Sequence, residues 1–137
     1  EGPRHGVRFQ EYVETANREL VIVIQAEHTD AVEDIDAIAA VPGIDAVLVG
    51  PYDLSGSLGV LGEVAHPRVR DAIEKVRRAC QAAGVPLGIF APDVAMAREY
   101  VEQGFSLIAL GMDAFFLWQS AQSALEEARG ESLRGGV

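Results

Sequence analysis

Four short apolar runs, separated by amphipathic segments, are the feature that most limits how this chain can fold. The runs are rich in Val, Ile and Leu, lack strict polar alternation, and span residues 20–26, 46–49, 87–90 and 107–110. Strands that are buried on both faces have this pattern, and such strands belong to parallel sheets. The sequence therefore predicts four parallel β-strands.

Helical periodicity fills the segments around these strands. In residues 66–83 apolar side chains recur at spacings of three and four, with Pro67 suited to the first helical position and Gly84 to the end. Asp30 and Asp93 are suited to cap two further helices. Helices are predicted over residues 30–40, 66–83, 93–104 and about 115–129, and residues 9–19 are an amphipathic segment that precedes the first strand. Strands alternating with helices indicate an α/β protein with right-handed crossovers.

Four strand–helix units amount to half of a (β/α)₈ TIM barrel, whose usual length is about 250 residues. A doubly wound sheet could also hold four strands. However, no Gly-x-Gly-x-x-Gly motif follows the first strand, and the chain has no Walker-type loop. We therefore favour a half barrel in one domain over residues 1–137, with its core at 8–129 and a frayed tail at 130–137.

Composition excludes several classes of protein. The net charge of −10 argues against a nucleic-acid partner. No apolar run approaches the roughly 20 residues that cross a bilayer. The opening EGPRHGVR has neither the charged n-region nor the apolar h-region of a signal peptide. The single cysteine fits a reducing compartment. We expect a cytoplasmic protein with no membrane association.

Acidic side chains follow the first two predicted strands, at the end where barrels place catalytic groups. Glu27 follows the first strand, and Asp53 follows the second. Two carboxylates that face each other repel unless a cation or a proton lies between them, and a hard divalent ion such as Mg²⁺ or Mn²⁺ prefers oxygen ligands. The alternative is structural: Asp53 caps the turn or helix that follows it, and Glu27 is solvated.

A family resemblance is carried by the segments IQAE, AVEDIDAIAAVPGIDAVLVGPYDLSGSLG, HPRV, GIFAP and IALGMD. They resemble the HpcH/HpaI aldolases, metal-dependent class II pyruvate aldolases of the phosphoenolpyruvate/pyruvate barrel superfamily. The similarity runs from about residue 8 to residue 129, and the 26-residue separation of the two acidic segments is specific to that family. The resemblance implies that the chain is the C-terminal half of such a barrel.

The resemblance also implies roles for the strand-end residues. Glu27 and Asp53 would be the catalytic metal ligands for Mg²⁺ or Mn²⁺, with Co²⁺ as a further candidate, and Gln25 would lie beside metal and substrate. The backbone after Gly50 and Pro51 would bind the substrate carboxylate. Its amides at Tyr52 and Asp53 would be the donors.

This sequence departs from the family pattern in several places. Tyr52 stands where the family usually has Ala or Ser, which predicts a narrower pocket. The catalytic histidine and the substrate-binding arginine of the family have no match, because both lie in the N-terminal half of its barrel. His66 precedes Pro67, where capping is expected, and strand alternation aims His28 away from Glu27. Arg8 lies in a segment similar to the family's GIRG-type loop.

The implied activity is a divalent-metal-dependent aldolase that cleaves or forms 4-hydroxy-2-oxo acids through a pyruvate enolate, acting on pyruvate or another small 2-oxo acid and an aldehyde. Schiff-base chemistry has no candidate, because Lys75, the only lysine, lies in mid-helix off the apolar stripe. Two alternatives stay open. One is a citrate lyase β or malyl-CoA type of lyase, against which the acidic charge weighs. The other is a non-catalytic barrel fragment that needs a partner half.

The remaining candidates are weaker. Cys80 is predicted to lie in the core. Ser55 and Ser57 follow Asp53 in a glycine-rich loop, where they either bind substrate or cap a helix. Residues 115–118, the aromatic start of the last helix, are interpreted as a contact in a homo-oligomer, because the family's C-terminal helix packs across to a neighbouring subunit. Burial within this chain is the alternative.

Overall fold

A computed structural model describes residues 9–130; Arg8 and the predicted tail beyond residue 130 lie outside this range. The strands are β1 Val23–Ala26, β2 Ala46–Val49, β3 Leu87–Ala91 and β4 Leu107–Leu110. The helices are α1 Phe9–Glu19, α2 Thr29–Glu33, α3 Ile35–Ala39, α4 Pro51–Ser57, α5 Pro67–Ala83, α6 Val94–Glu102 and α7 Asp113–Ala128. In this part of the chain no helix has the length and apolarity needed to cross a membrane.

The four strands form one parallel sheet in the order β1-β2-β3-β4. A doubly wound sheet reverses its winding at a switch point, whereas here every strand pairs with its neighbour in sequence. One row of the register joins Gln25 to Leu48, Leu48 to Gly88, and Gly88 to Leu107. The unreversed order is that of a barrel wall, as the sequence predicts.

The two faces of the sheet are buried to different extents. Val47, Val49 and Ile89 are fully buried on the face that the helices cover. On the other face Val23 and Leu107 remain 38% and 39% exposed. Crossovers of one hand in an unreversed strand order place all helices on the same side. The less covered face is the one that lines the interior in a closed barrel.

Most predicted helix boundaries are confirmed, with two corrections. The Nδ1 atom of His66 accepts from the amide of Arg68 at the start of α5, and Gly84 ends that helix with φ +70°. Asp93 caps α6 through the amide of Met96. The predicted Asp30 cap is wrong: His28 is the N-cap of α2, because the chain leaves β1 extended and turns helical two residues earlier than an Asp30 cap requires.

The second correction concerns the length of two predicted elements. The helix expected over 30–40 is split in two at Asp34, whose φ of −91° and ψ of 9° lie outside the helical range. The first strand begins at Val23 rather than at residue 20, because Leu20 still donates its amide to the carbonyl of Ala16 at the end of α1. The split at Asp34 lies inside the predicted helix, whereas the strand difference arises at an element end, where local pattern is least decisive.

The aromatic start of α7 is not buried within this chain. No residue of α7 is buried, and Phe115, Phe116 and Trp118 are between 44% and 57% exposed. Burial against residues 9–130 is therefore not the explanation for these side chains. Their role as an oligomer contact stays a prediction.

Candidate metal and substrate site

Strand β1 directs two polar side chains to the same side of the sheet. Ala26, its last residue, is only 1% exposed because it lies under the helices. Since successive side chains of a strand alternate, Gln25 and Glu27 lie on the opposite, open face. The Nε2 atom of Gln25 donates to Oε2 of Glu27 at 3.1 Å. This hydrogen bond restricts the direction in which the Glu27 carboxylate points.

Strand β2 leads directly into α4. Gly50 is the N-cap, Pro51 takes the first helical position, and Asp53 lies in the first turn. The first helical hydrogen bond runs from the amide of Leu54 to the carbonyl of Gly50, at 2.9 Å. The amides of Tyr52 and Asp53 precede this bond, and first-turn amides have no acceptor within their own helix. Asp53 is thus inside the helix, and the cap is Gly50.

Glu27 and Asp53 come together beside Gly50. A Cβ atom built on Gly50 would lie 3.1 Å from Oε2 of Glu27, 3.3 Å from its Cβ, and 3.8 Å from Oδ2 of Asp53. The two carboxylate oxygens are therefore no farther apart than the sum of their distances to that point. The hydrogen that glycine carries in place of a side chain leaves this space to the carboxylates.

The donor set suits a hard divalent cation. Mg²⁺ is commonly held by one or two carboxylates and completes its coordination with water and substrate oxygens. Between residues 9 and 130 no group of three or more His, Cys, Asp or Glu side chains could hold a metal ion. A closed structural zinc site, which needs four protein ligands, is therefore not formed in this region. Glu27 and Asp53 fit a hydrated oxygen-ligated ion.

The loop after α4 is fixed by Ser55. This residue is fully buried, and its hydroxyl donates to the Tyr52 carbonyl at 2.6 Å and accepts from the Gly62 amide at 2.8 Å. The Tyr52 ring lies close to the same loop, since its Cε2 would be 3.8 Å from a Cβ atom built on Gly62. The Ser55 hydroxyl is thus used within the fold, whereas the Tyr52 side chain remains 58% exposed.

Ser57 makes a contact that the sequence does not reveal. Its hydroxyl accepts from the Thr29 amide at 2.8 Å and lies 3.2 Å from the Thr29 hydroxyl, to which it donates. The two residues are 28 positions apart, so no local motif joins them. The sequence suggests substrate binding or capping for Ser57; the structure instead shows hydrogen bonds between the end of α4 and the start of α2.

Other reactive side chains are occupied elsewhere. Nδ1 of His28 accepts from the amide of Asp30, as Nδ1 of His66 does from that of Arg68. The Lys75 ammonium donates to the Glu33 carbonyl at 3.2 Å, on an exposed part of α5. Cys80 is fully buried, as predicted, and burial raises the pKa of its thiol. Raising that pKa lowers the thiolate fraction, so Cys80 is unsuited to nucleophilic catalysis.

Comparison with known proteins identifies the family. Residues 2–120 match the family model described as HpcH/HpaI aldolase/citrate lyase. The chain belongs to this family. The resemblance to the HpcH/HpaI aldolases that the sequence motifs indicated is thereby confirmed over most of the chain.

Individual relatives agree with this assignment. The chain is 39% identical over 125 residues to a hydroxypyruvate/pyruvate aldolase of Paraburkholderia phytofirmans, covering 91% of this chain and 48% of that protein. It is 39% identical over 118 residues to a 5-keto-4-deoxy-D-glucarate aldolase of Citrobacter koseri, covering 86% and 46%. The crystal structure of an HpcH/HpaI aldolase/citrate lyase family protein from Burkholderia cenocepacia superposes with a TM-score of 0.84 at 43% identity, covering 90% and 48%.

These coverages bear on what the chain contains. The chain spans about half the length of the curated relatives it matches. Four strand–helix units over that span agree with the predicted half of a (β/α)₈ barrel.

Proposed function

We propose that this protein is a divalent-metal-dependent aldolase, which cleaves or forms 4-hydroxy-2-oxo acids through a pyruvate enolate. The observation that carries the proposal is the approach of Glu27 Oε2 and Asp53 Oδ2 to one point beside Gly50. The names of the two relatives, hydroxypyruvate/pyruvate aldolase and 5-keto-4-deoxy-D-glucarate aldolase, support an aldolase rather than a CoA-dependent lyase. The substrates are pyruvate or another small 2-oxo acid, together with an aldehyde.

In this proposal Glu27 and Asp53 hold the cation, which is Mg²⁺, Mn²⁺ or Co²⁺. A divalent cation bound there supplies Lewis-acid stabilisation for the negative charge that develops on the 2-oxo oxygen. Gln25 keeps the Glu27 carboxylate oriented through its hydrogen bond of 3.1 Å. Because oxygen-ligated ions of this kind retain exchangeable water positions, two protein carboxylates leave room for a chelating substrate.

The start of α4 binds the substrate carboxylate. The amides of Tyr52 and Asp53 have no helical acceptor, and Pro51 has no amide hydrogen to compete with them. Fixed N–H dipoles aimed at an anion are useful here, because the chain carries a net charge of −10 and cannot attract an anion through its overall field. The Tyr52 side chain borders this end of the site.

In this proposal the groups that transfer protons lie outside the described residues, as the family resemblance implies. His28, His66 and Lys75 are hydrogen-bonded to their own helix ends or to a remote carbonyl. We therefore assign the catalytic base and the substrate-binding arginine to another part of the barrel, as the family resemblance implies. On this proposal, residues 1–137 contribute the metal and carboxylate subsites.

The test is metal binding in the full polypeptide that the gene encodes. Glu27→Gln and Asp53→Asn keep side-chain size and remove one charge each, so each should abolish Mn²⁺ binding in isothermal titration calorimetry. Asp113→Asn is the matched control: it also follows a strand, but its carboxylate accepts from the Ala114 amide at 2.7 Å. Exchange of the methyl hydrogens of pyruvate for deuterium, followed by NMR, reports enolate formation in the same proteins.

The expected result is loss of binding and of exchange in the first two variants only. If Glu27→Gln and Asp53→Asn bind Mn²⁺ as the parent does, the two acids are structural and the proposed metal site is wrong. If binding is lost but exchange persists, the metal site stands, but enolate formation does not depend on the metal and the proposed metal dependence is wrong.

A further inference from the structure

The Ser57–Thr29 pair joins the two segments that carry the carboxylates. Thr29 is the first residue of α2 and lies two residues after Glu27, whereas Ser57 is the last residue of α4 and lies four residues after Asp53. The Ser57 hydroxyl uses an acceptor lone pair for the Thr29 amide and its hydrogen for the Thr29 hydroxyl, at 2.8 and 3.2 Å. Both bonds are partly buried, which limits competition from water.

The spacing along α4 relates this pair to the site. Residues four apart lie on the same face of a helix, so Asp53 and Ser57 share the face of α4 that meets the segment after β1. One end of that face brings Asp53 toward Glu27 at Gly50, and the other end brings Ser57 to Thr29. Two neighbouring carboxylates repel each other when no cation lies between them. The Ser57–Thr29 pair opposes the separation that this repulsion favours.

We propose that Ser57 is a positioning residue that sets the spacing of Glu27 and Asp53 through its two hydrogen bonds to Thr29, and so preorganises the cation site. The inference rests on the proposed function for the nature of the ligand. The spacing itself is a property of the metal-free protein. Residues that orient metal ligands typically change metal affinity by about ten- to a hundredfold when they are removed.

Three variants separate this role from a general effect on folding, each made in the full polypeptide. Ser57→Ala removes both hydrogen bonds and should raise the Kd for Mn²⁺ by about tenfold or more. Thr29→Val keeps the hydrogen bond from the amide of residue 29 to Ser57 but loses the one to the Thr29 hydroxyl, so the increase in the Kd for Mn²⁺ should be smaller. Ser57→Thr retains the hydroxyl and should stay within about threefold of the parent, since one hydroxyl serves both bonds.

The control is Ser106→Ala, at the opposite end of the sheet. The Ser106 hydroxyl lies 3.4 Å from the Leu87 carbonyl and also joins two segments, yet it is remote from both carboxylates in the register. The Kd of the Ser106→Ala variant for Mn²⁺ should equal that of the parent protein. Crystal structures of the metal-free parent and Ser57→Ala give a second measurement, the distance from Glu27 Oε2 to Asp53 Oδ2, which should increase in the variant.

The outcomes distinguish the two proposals. If the parent binds Mn²⁺ and Ser57→Ala binds it equally well, Ser57 does not position the site and the inference is overturned. If the parent binds no Mn²⁺, the proposed metal site fails, and the metal-free distance alone decides the role of Ser57: an increase supports it, and an unchanged distance overturns it.

Discussion

Gly50→Ala is the sharpest test of the site geometry, because it adds one methyl group within 4 Å of both carboxylates. The new Cβ would lie 3.1 Å from Oε2 and 3.3 Å from Cβ of Glu27. Both distances are a few tenths of an ångström shorter than ordinary contact between these atoms, which is about 3.5–4.0 Å. The φ of Gly50 is −102°, so an alanine needs no left-handed backbone there, and the effect is steric.

The contact with Glu27 Cβ decides the magnitude. A crowded carboxylate oxygen alone could move by rotation of its side chain, but Cβ moves only when the backbone or its bond angles adjust, and a bond-angle change of about 7° costs about 1 kcal/mol. Where the backbone conformation allows alanine, replacing glycine stabilises the folded protein by about 0.4–1 kcal/mol, because it lowers the conformational entropy of the unfolded chain. The free energy of unfolding should therefore fall by about 1 kcal/mol or less. The displaced carboxylate should raise the Kd for Mn²⁺ by about tenfold, equivalent to about 1.4 kcal/mol.

The assay pairs Mn²⁺ calorimetry with urea unfolding of the metal-free full polypeptide. Gly56→Ala is the matched control, since its added Cβ also comes within 3.1 Å of a neighbour, the Cδ1 atom of Leu61. That atom is the tip of a side chain that is 66% exposed and free to move, and alanine favours the helix. Parent-like Mn²⁺ affinity in Gly50→Ala would refute the reasoning, because Glu27 could then not be held against Gly50 as the structure places it.

Three further predictions concern the sheet, the pocket and the isolated chain. Gly88→Ala should lower the free energy of unfolding by about 2–3 kcal/mol in urea titrations. The added Cβ would lie 2.9 Å from Leu48 Cδ1 and 3.0 Å from the Leu107 carbonyl oxygen, which the hydrogen bonds between β3 and β4 hold in place. An unchanged midpoint of the urea transition would contradict the strand register. Tyr52→Ala should broaden aldehyde acceptance and leave pyruvate enolisation intact, as measured by product formation with a panel of aldehydes; an identical substrate profile would mean that the ring faces away from the site. Residues 1–137 expressed alone should self-associate at micromolar concentration in light scattering, because Val23 and Leu107 are exposed on the open sheet face; a monodisperse monomer would contradict this expectation.

Local pattern was sufficient to predict most elements. The apolar runs located all four strands, and the alternation of strands and helices indicated half of a (β/α)₈ barrel. The strand order of the sheet and the similarity to the Burkholderia cenocepacia crystal structure support this prediction. Pro67 and Gly84 marked the ends of α5 correctly, because capping depends on residues within one turn of the helix end. The same reasoning misplaced the α2 cap by two residues, since both His28 and Asp30 can supply an acceptor and the exit angle from β1 decides between them.

The candidate site divides in the same way. Glu27 and Asp53 were recognisable as strand-end acids, and parallel neighbouring strands bring such ends to the same edge of a sheet. Their ligand roles remain predictions. The sequence carries no sign of the Ser57–Thr29 pair, because a hydrogen bond across 28 residues depends on how α4 lies against the segment after β1.

The sequence by itself determined most of the segments that are strands and helices, and which side chains follow each strand, because periodicity and capping act over a few residues. Only the tertiary structure decided that Gly50 leaves space beside the carboxylates of both Glu27 and Asp53, and that the helices cover one face of the sheet while the other stays open. Those features arise from strand register and crossover hand, which place atoms from distant positions within a few ångströms of each other.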